Sequence, residues 1–176
     1  MTIGRITRIA FLVFSAVLLF AFIASSGGHP AAAAHPRTEH SERHCAPVGG
    51  MILTNFGAID QNTTMGVATG DLRGAVSGTL LGAAQPGAGG TVVFHVQHHW
   101  VTESGDTLNF DQATATTVAL SQTLFAIVTY PLHLTGGTGR FAGATGDMNA
   151  IGEVDLSNGT VFRYSGQVCF PAPDKD

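Results

Sequence analysis

Three histidines fall within five residues, His95, His98 and His99, on a stretch where Phe94, Val96 and Trp100 alternate with polar side chains. An extended chain turns successive side chains to opposite faces. His98 therefore shares a face with Phe94, Val96 and Trp100, while His95 and His99 share the other. An imidazole can take up or release a proton near neutral pH, so His98 is a candidate general base. Tyr130 lies in a second alternating run, residues 124–134. Its phenol is expected on the same interior face and is the second candidate catalytic group. Phe94, Trp100, Gln112 and Tyr164 complete the expected ligand-binding wall, with Gly74, Gly78, Gly152 and Gly166 leaving room beside them. Apolar walls with a few polar tips suit a small hydrophobic molecule. The competing expectation is a filled core in which the polar groups hydrogen-bond one another.

Other chemistries fit less well. His95 and His99 stand about 13 Å apart on a strand, and His98 points away from both. They cannot share one ion, and an outer-face site would need a cross-strand partner such as His133. No metal and no cofactor are expected. The run Gly137-Thr138-Gly139-Arg140-Phe141-Ala142 matches the dinucleotide fingerprint in letters. That fingerprint works by aiming a helix N-terminus at a pyrophosphate, and here more glycine follows. No carboxylate falls on the expected inner face, which argues against paired-acid hydrolysis of sugars.

The elements that must position these residues have a period of two almost throughout. Even positions carry the apolar set: Leu72, Val76 and Leu80; Phe94, Val96 and Trp100; Leu108 and Phe110; Leu124, Ala126, Val128, Tyr130, Leu132 and Leu134; Met148, Ala150 and Val154; Phe162, Tyr164, Val168 and Phe170. Odd positions are mostly polar, so one face meets a core and the other water. Phe125 and Ile127 interrupt the polar face and suggest a subunit contact, hence a homo-oligomer. Glycine-rich turns at 85–90, 103–106, 136–146 and 157–159 separate the runs. Asn158-Gly159 reads as a two-residue hairpin turn with positive φ at both positions. The pattern predicts an all-β fold, a closed antiparallel β-barrel of about eight strands, because closure removes exposed edges. A sandwich is the alternative.

Arg5 and Arg8, an apolar stretch over residues 9–24 and small residues after it read as a secretion signal over 1–34. Cleavage after Ala34 is preferred to cleavage after Ser26; the apolar stretch is shorter than a spanning helix requires. Membrane association is expected only through an uncleaved signal. Residues 35–46 read as a flexible lead-in and 47–172 as the barrel domain. Export to an oxidising compartment favours a Cys45–Cys169 disulfide over two buried thiols. With 11% charged residues and a net charge of −4, the chain lacks the basic field that nucleic-acid binding needs.

The segment Gly136-Gly137-Thr138-Gly139-Arg140-Phe141-Ala142-Gly143-Ala144-Thr145-Gly146 resembles the turn motif of the allene oxide cyclase and dirigent barrel superfamily, whose bacterial relatives include spirocyclase-like proteins. The resemblance implies an eight-stranded antiparallel barrel with a hydrophobic cavity, often oligomeric. It carries over no catalytic residue: Thr145 stands where dirigent proteins typically have arginine, and their acidic residues have no counterpart here. The expectation is a secreted barrel binding a small hydrophobic ligand, with a cyclase or isomerase activity acting by shape as one outcome. The other is a structural or interaction protein with a filled barrel and no catalytic activity.

Overall fold

The computed structural model describes residues 43–172. The signal over 1–34 and the lead-in up to residue 42 lie outside the described residues. Eleven strands follow one another: β1 (His44–Phe56), β2 (Thr63–Ala68), β3 (Gly74–Leu80), the two-residue β4 (Gln85–Pro86), β5 (Val92–Thr102), β6 (Thr107–Phe110), β7 (Ala113–Ala119), β8 (Leu124–Thr129), β9 (Pro131–Gly137), β10 (Thr145–Asp155) and β11 (Gly159–Phe170). Single 3-10 turns at Gly70–Leu72, Ala88–Gly90 and Gly139–Phe141 are the helical elements among the described residues.

All pairings are antiparallel, and they close on themselves. β1 pairs β2, β2 pairs β3 and β3 pairs β5. One half of β5 pairs β6 and the other half β7; these pair β9 and β8 in turn, and both of those pair β10. β10 pairs β11 and β11 returns to β1. Counting β6 with β7 and β8 with β9 as broken single strands gives a ring of eight, the expected barrel. β1 starts at His44, earlier than the boundary expected at residue 47. Its first residues are held in the ladder because Cys45 lies opposite Cys169 and is disulfide-bonded to it.

Even positions face inward on β3, β5, β6, β9, β10 and β11, as the pattern predicts, and on β1 and β2 as well. On β7 and β8 the parity inverts: Ala113, Ala115, Thr117 and Phe125 are buried, while Val118 and Val128 are exposed. Two adjacent irregularities cause this. Asp111 and Gln112 separate inward Phe110 from inward Ala113, and the β7–β8 register slips between Thr116↔Thr129 and Thr117↔Ile127. A residue added to one strand of a pair re-aims every side chain beyond it. Phe125 is consequently a core residue, edge-on to Phe94 with centroids 5.2 Å apart, and Ile127 packs against the core. These two side chains therefore do not form the outer-face patch from which a subunit contact was expected.

The glycine-rich run leaves β9 through the turn at Gly139–Phe141. Gly139 sits at φ 53°, and a Cβ on it would strike the Asp106 carboxylate; Phe141 is buried and anchors the turn. A strand follows, which leaves no helix to serve a dinucleotide. The β10–β11 hairpin differs from expectation. Its turn residues are Leu156, Ser157 and Asn158, and Gly159 pairs with Asp155 without adopting a left-handed conformation. Gly159 is needed instead for close approach, since a Cβ there would collide with the Thr54 carbonyl.

Candidate functional site

The barrel interior divides into a plugged end and a slotted end. At the plugged end the turn Gly70–Leu72 folds under the strands, and two aromatic side chains pin it. Trp100 Nε1 donates to the Leu72 carbonyl at 2.7 Å. Tyr164 Oη accepts from the Leu72 amide at 3.0 Å and donates to the Thr69 carbonyl at 2.8 Å. Leu108, Leu134, Phe141 and Val168 fill the rest.

The slotted end is a cavity of about 40 Å³, with walls that include Ile52, Val76, Gly78, Phe94, Val96, Ala115, Leu132 and Phe162. Phe56 and Leu80, both partly exposed, stand at its mouth. Its hydroxyls are largely engaged: Thr54 and Thr160 bond each other at 2.6 Å, and Thr64 donates to the Gly78 carbonyl. Deeper in the slot, His98 Nε2 and Tyr130 Oη are 2.6 Å apart.

The two candidate catalytic residues meet because of the break in the ring. His98 lies where β5 passes from pairing β7 (Val92–Val96) to pairing β6 (His99–Val101). Tyr130 lies between β8 and β9; its amide bonds the Asn149 side chain and its carbonyl accepts from Ala150. The slip that inverts β8 leaves Val128 and Thr129 facing out and turns Tyr130 in. Gln97, on the outer face, donates to the Phe110 carbonyl where the ladder is interrupted.

Of the four expected wall residues, Phe94 lines the slot. Trp100 and Tyr164 belong to the plug, since Trp100 is two residues, about 6.6 Å, beyond His98 along β5 and both are committed to the turn beneath. Gln112 is exposed, because it lies in the parity-switching link. Of the four glycines, only Gly78 borders the slot; at Gly74, Gly152 and Gly166 a Cβ would strike a neighbouring strand's backbone. Ile52, Ala115 and the Thr54–Thr160 pair are wall residues that pattern reading missed. Their inward parity was legible on β1 and β11, but Ala115 follows the inversion.

The outer histidines are dispersed. His95 Nδ1 and Thr114 Oγ1 are 3.2 Å apart, and exposed His133 pairs with Asp147 at 2.6 Å. Among the described residues no three metal-ligating side chains converge.

Burial among apolar walls pushes the His98 imidazole down to about 4, with the Ser77 backbone carbonyl opposing the shift and His99 adding slightly to it. Burial also raises Tyr130 above the usual phenol range. Both groups are neutral at neutral pH. A folded-state value below the unfolded one means that the unfolded chain binds more protons between pH about 4 and 6.5. Stability from His98 is therefore complete above about pH 6.5 and falls as the pH drops toward 4, by on the order of 2–3 kcal/mol. His133 is shifted up by its hydrogen bond to Asp147, so its contribution is lost in the opposite direction, as pH rises, and is screened by solvent. Urea midpoints measured from pH 7 to 4 are expected to fall more steeply for the natural chain than for His98→Gln. Parallel curves would remove His98 as the cause.

No family model and no curated protein matches this sequence. Among solved structures, a pterocarpan synthase dirigent protein is similar over 78% of this chain and 95% of that chain, at 15% identity and a TM-score of 0.34. At that distance the assignment of the barrel rests on its own ladder of strand pairs.

Proposed function

We propose that this protein is an exported barrel that holds a small apolar molecule in the slot against the His98–Tyr130 pair. The observation that supports this is one neutral imidazole–phenol pair deep in a largely apolar cavity, whose other polar side chains, Thr54, Thr64 and Thr160, bond each other or a backbone carbonyl. A wall needed only for filling is better served by apolar side chains, because burying polar groups costs free energy even when they are paired. The disulfide fits an oxidising compartment, and with the amino-terminal signal pattern it supports export.

The reaction class that suits the slot is ring closure or isomerisation, in line with the resemblance to spirocyclase-like proteins. Such chemistry needs the substrate held in a reactive shape, and orientation alone can lower a barrier by several kcal/mol. His98 is the only base in the slot; it can accept a proton through Tyr130 and return it to another atom of the same molecule. The free volume admits only a few water-sized atoms, so a larger ligand enters by displacing Phe56 and Leu80 at the mouth. Titration with cyclopentane, followed by methyl NMR of Val76, Val96 and Leu132, is expected to shift these signals. Gly78→Ala places a Cβ 3.5 Å from His98 Cε1 and 3.3 Å from Val96, and should weaken binding about tenfold, the effect of about 1.4 kcal/mol. Methyl signals that stay still in the natural chain would reject the reading.

A second reading, association through the outer wall, is favoured by one cross-strand row. Val101, Ala75, Val67, Leu53 and Val161 are opposite one another on β5, β3, β2, β1 and β11, and all are exposed. Such a contiguous apolar strip suits a second copy of the chain. Light scattering is expected to give a mass above that of one chain, reduced to one by Leu53→Asp; a monomer at all concentrations refutes it.

A further inference from the structure

One hairpin of the slotted end is set off from the rest of the barrel wall. β7 pairs with β5 only along Val92–Val96, and β8 pairs with β10 only along Glu153–Asp155. Beyond each stretch the register is interrupted: Gln97 and His98 have no counterpart on β6 or β7, and Ile151 and Gly152 have none on β8 or β9. The exposed link Asp111–Gln112 leads into the hairpin and Tyr130 leads out of it. Just before Tyr130, β8 carries an extra residue, Val128, with no partner on β7. Such a bulge bends its strand and interrupts the ladder. The two seams are unequal. On the β5 side the ladder is supported by Thr117 Oγ1, which donates to the Val92 carbonyl at 2.9 Å. On the β10 side the shorter ladder is extended by the Leu156 amide, which donates to the Thr123 carbonyl at 2.9 Å. Behind that shorter seam Phe125 stands opposite Val154, a wall residue of the slot.

We propose that β7–β8 is a flap that parts from β10 along the shorter seam, swinging on its β5 seam and the bulge at Val128, and so enlarges the slot. The cavity of about 40 Å³ is far smaller than the roughly 150 Å³ of a cavity that takes benzene. Displacing Phe56 and Leu80 opens the mouth but adds no room deeper in, so room beside the His98–Tyr130 pair has to come from the wall. β6 and β9 are joined to their neighbours over stretches as short, yet they cover the filled plug, whereas β7 and β8 cover the slot. Opening one briefly paired element costs less than unfolding the domain. Tyr130 stays at the pivot, because its amide bonds the Asn149 side chain and its carbonyl accepts from Ala150. The pair is thereby kept in place while the wall beside it moves. The flap's role in ligand entry rests on the reading of the slot as a ligand site; its motion does not.

The test locks the seam. Ala126 and Glu153 are directly opposite on β8 and β10, a separation that a disulfide can span in an antiparallel pair. Ala126→Cys with Glu153→Cys ties the flap shut, and Ala126→Ser with Glu153→Ser is the unlocked control. Benzene is titrated into both and followed by the methyl signals of Val76, Val96 and Leu132. The locked protein is expected to bind benzene at least tenfold more weakly than the control, and its Leu156 amide to exchange with solvent at least tenfold more slowly. The natural chain gives a reading without any variant: its Leu156 amide is expected to exchange at least tenfold faster than the Ala150 amide at the pivot. Equal benzene affinity in the locked and control proteins overturns the flap as the source of room and leaves the slot a ligand site. Equal exchange at Leu156 and Ala150 overturns the motion itself. Benzene that binds neither protein overturns the slot reading, and the exchange rates then decide the flap alone.

Discussion

A chain with Cys45 and Cys169 both replaced by serine is expected to lose about 5 kcal/mol of stability, because the disulfide closes a loop of nearly the whole domain. The two cysteines are 124 residues apart in sequence and directly opposite in the β1–β11 ladder. That ladder is where the first and last strands meet and the ring closes. In the unfolded chain the bridge holds these distant segments together, so closing the ring costs less entropy when they pair. A domain's net stability is typically about 5–15 kcal/mol, so a loss of this size is expected to be from about a third to all of it. Urea denaturation of the oxidised protein and the double variant measures the difference. A gap below about 1 kcal/mol would show that strand pairing closes the ring unaided.

Trp100→Ala is expected to cost about 3–5 kcal/mol, the usual range for deleting a large buried aromatic side chain. Trp100 is 2% exposed and packs edge-on to Tyr164, with centroids 5.5 Å apart. Its loss leaves a void and frees the Leu72 carbonyl, so the turn at Gly70–Leu72 loses one of its two pins. Hydrogen exchange should therefore accelerate at Leu72 and along the neighbouring part of β5, while the slot at the other end keeps its shape. A loss under about 1 kcal/mol, or exchange unchanged at Leu72, would mean that the plug does not depend on Trp100. The expectation that Trp100 contacts a ligand makes a different forecast, weakened binding with stability kept.

Much of the barrel was legible in the residues. Alternation on β5, β10 and β11 depends on strand geometry alone, which sends neighbouring side chains to opposite faces whatever the partner strand. His98 and Phe94 were placed inward on that basis, and Tyr130 was placed inward too. For Tyr130 the even count succeeded only because two departures from it cancel: β8 runs inverted, and the outward pair Val128–Thr129 restores the parity. Gln112 shows the same mechanism without the cancellation. It sits in the link where the parity changes, so counting placed it inside while the chain turns it to solvent.

Composition and spacing thus pointed to antiparallel strands closed as a barrel, to a pairing of the two cysteines and to an imidazole on the inner face, since each depends on local backbone geometry or on the chemistry of single residues. Tertiary structure alone decided that one end is plugged and the other slotted, that His98 meets Tyr130, and which glycines border empty space. Those outcomes depend on cross-strand register and on a turn folding beneath the strands. Register is fixed by contacts between residues far apart in the chain, and no repeating pattern within a strand encodes it.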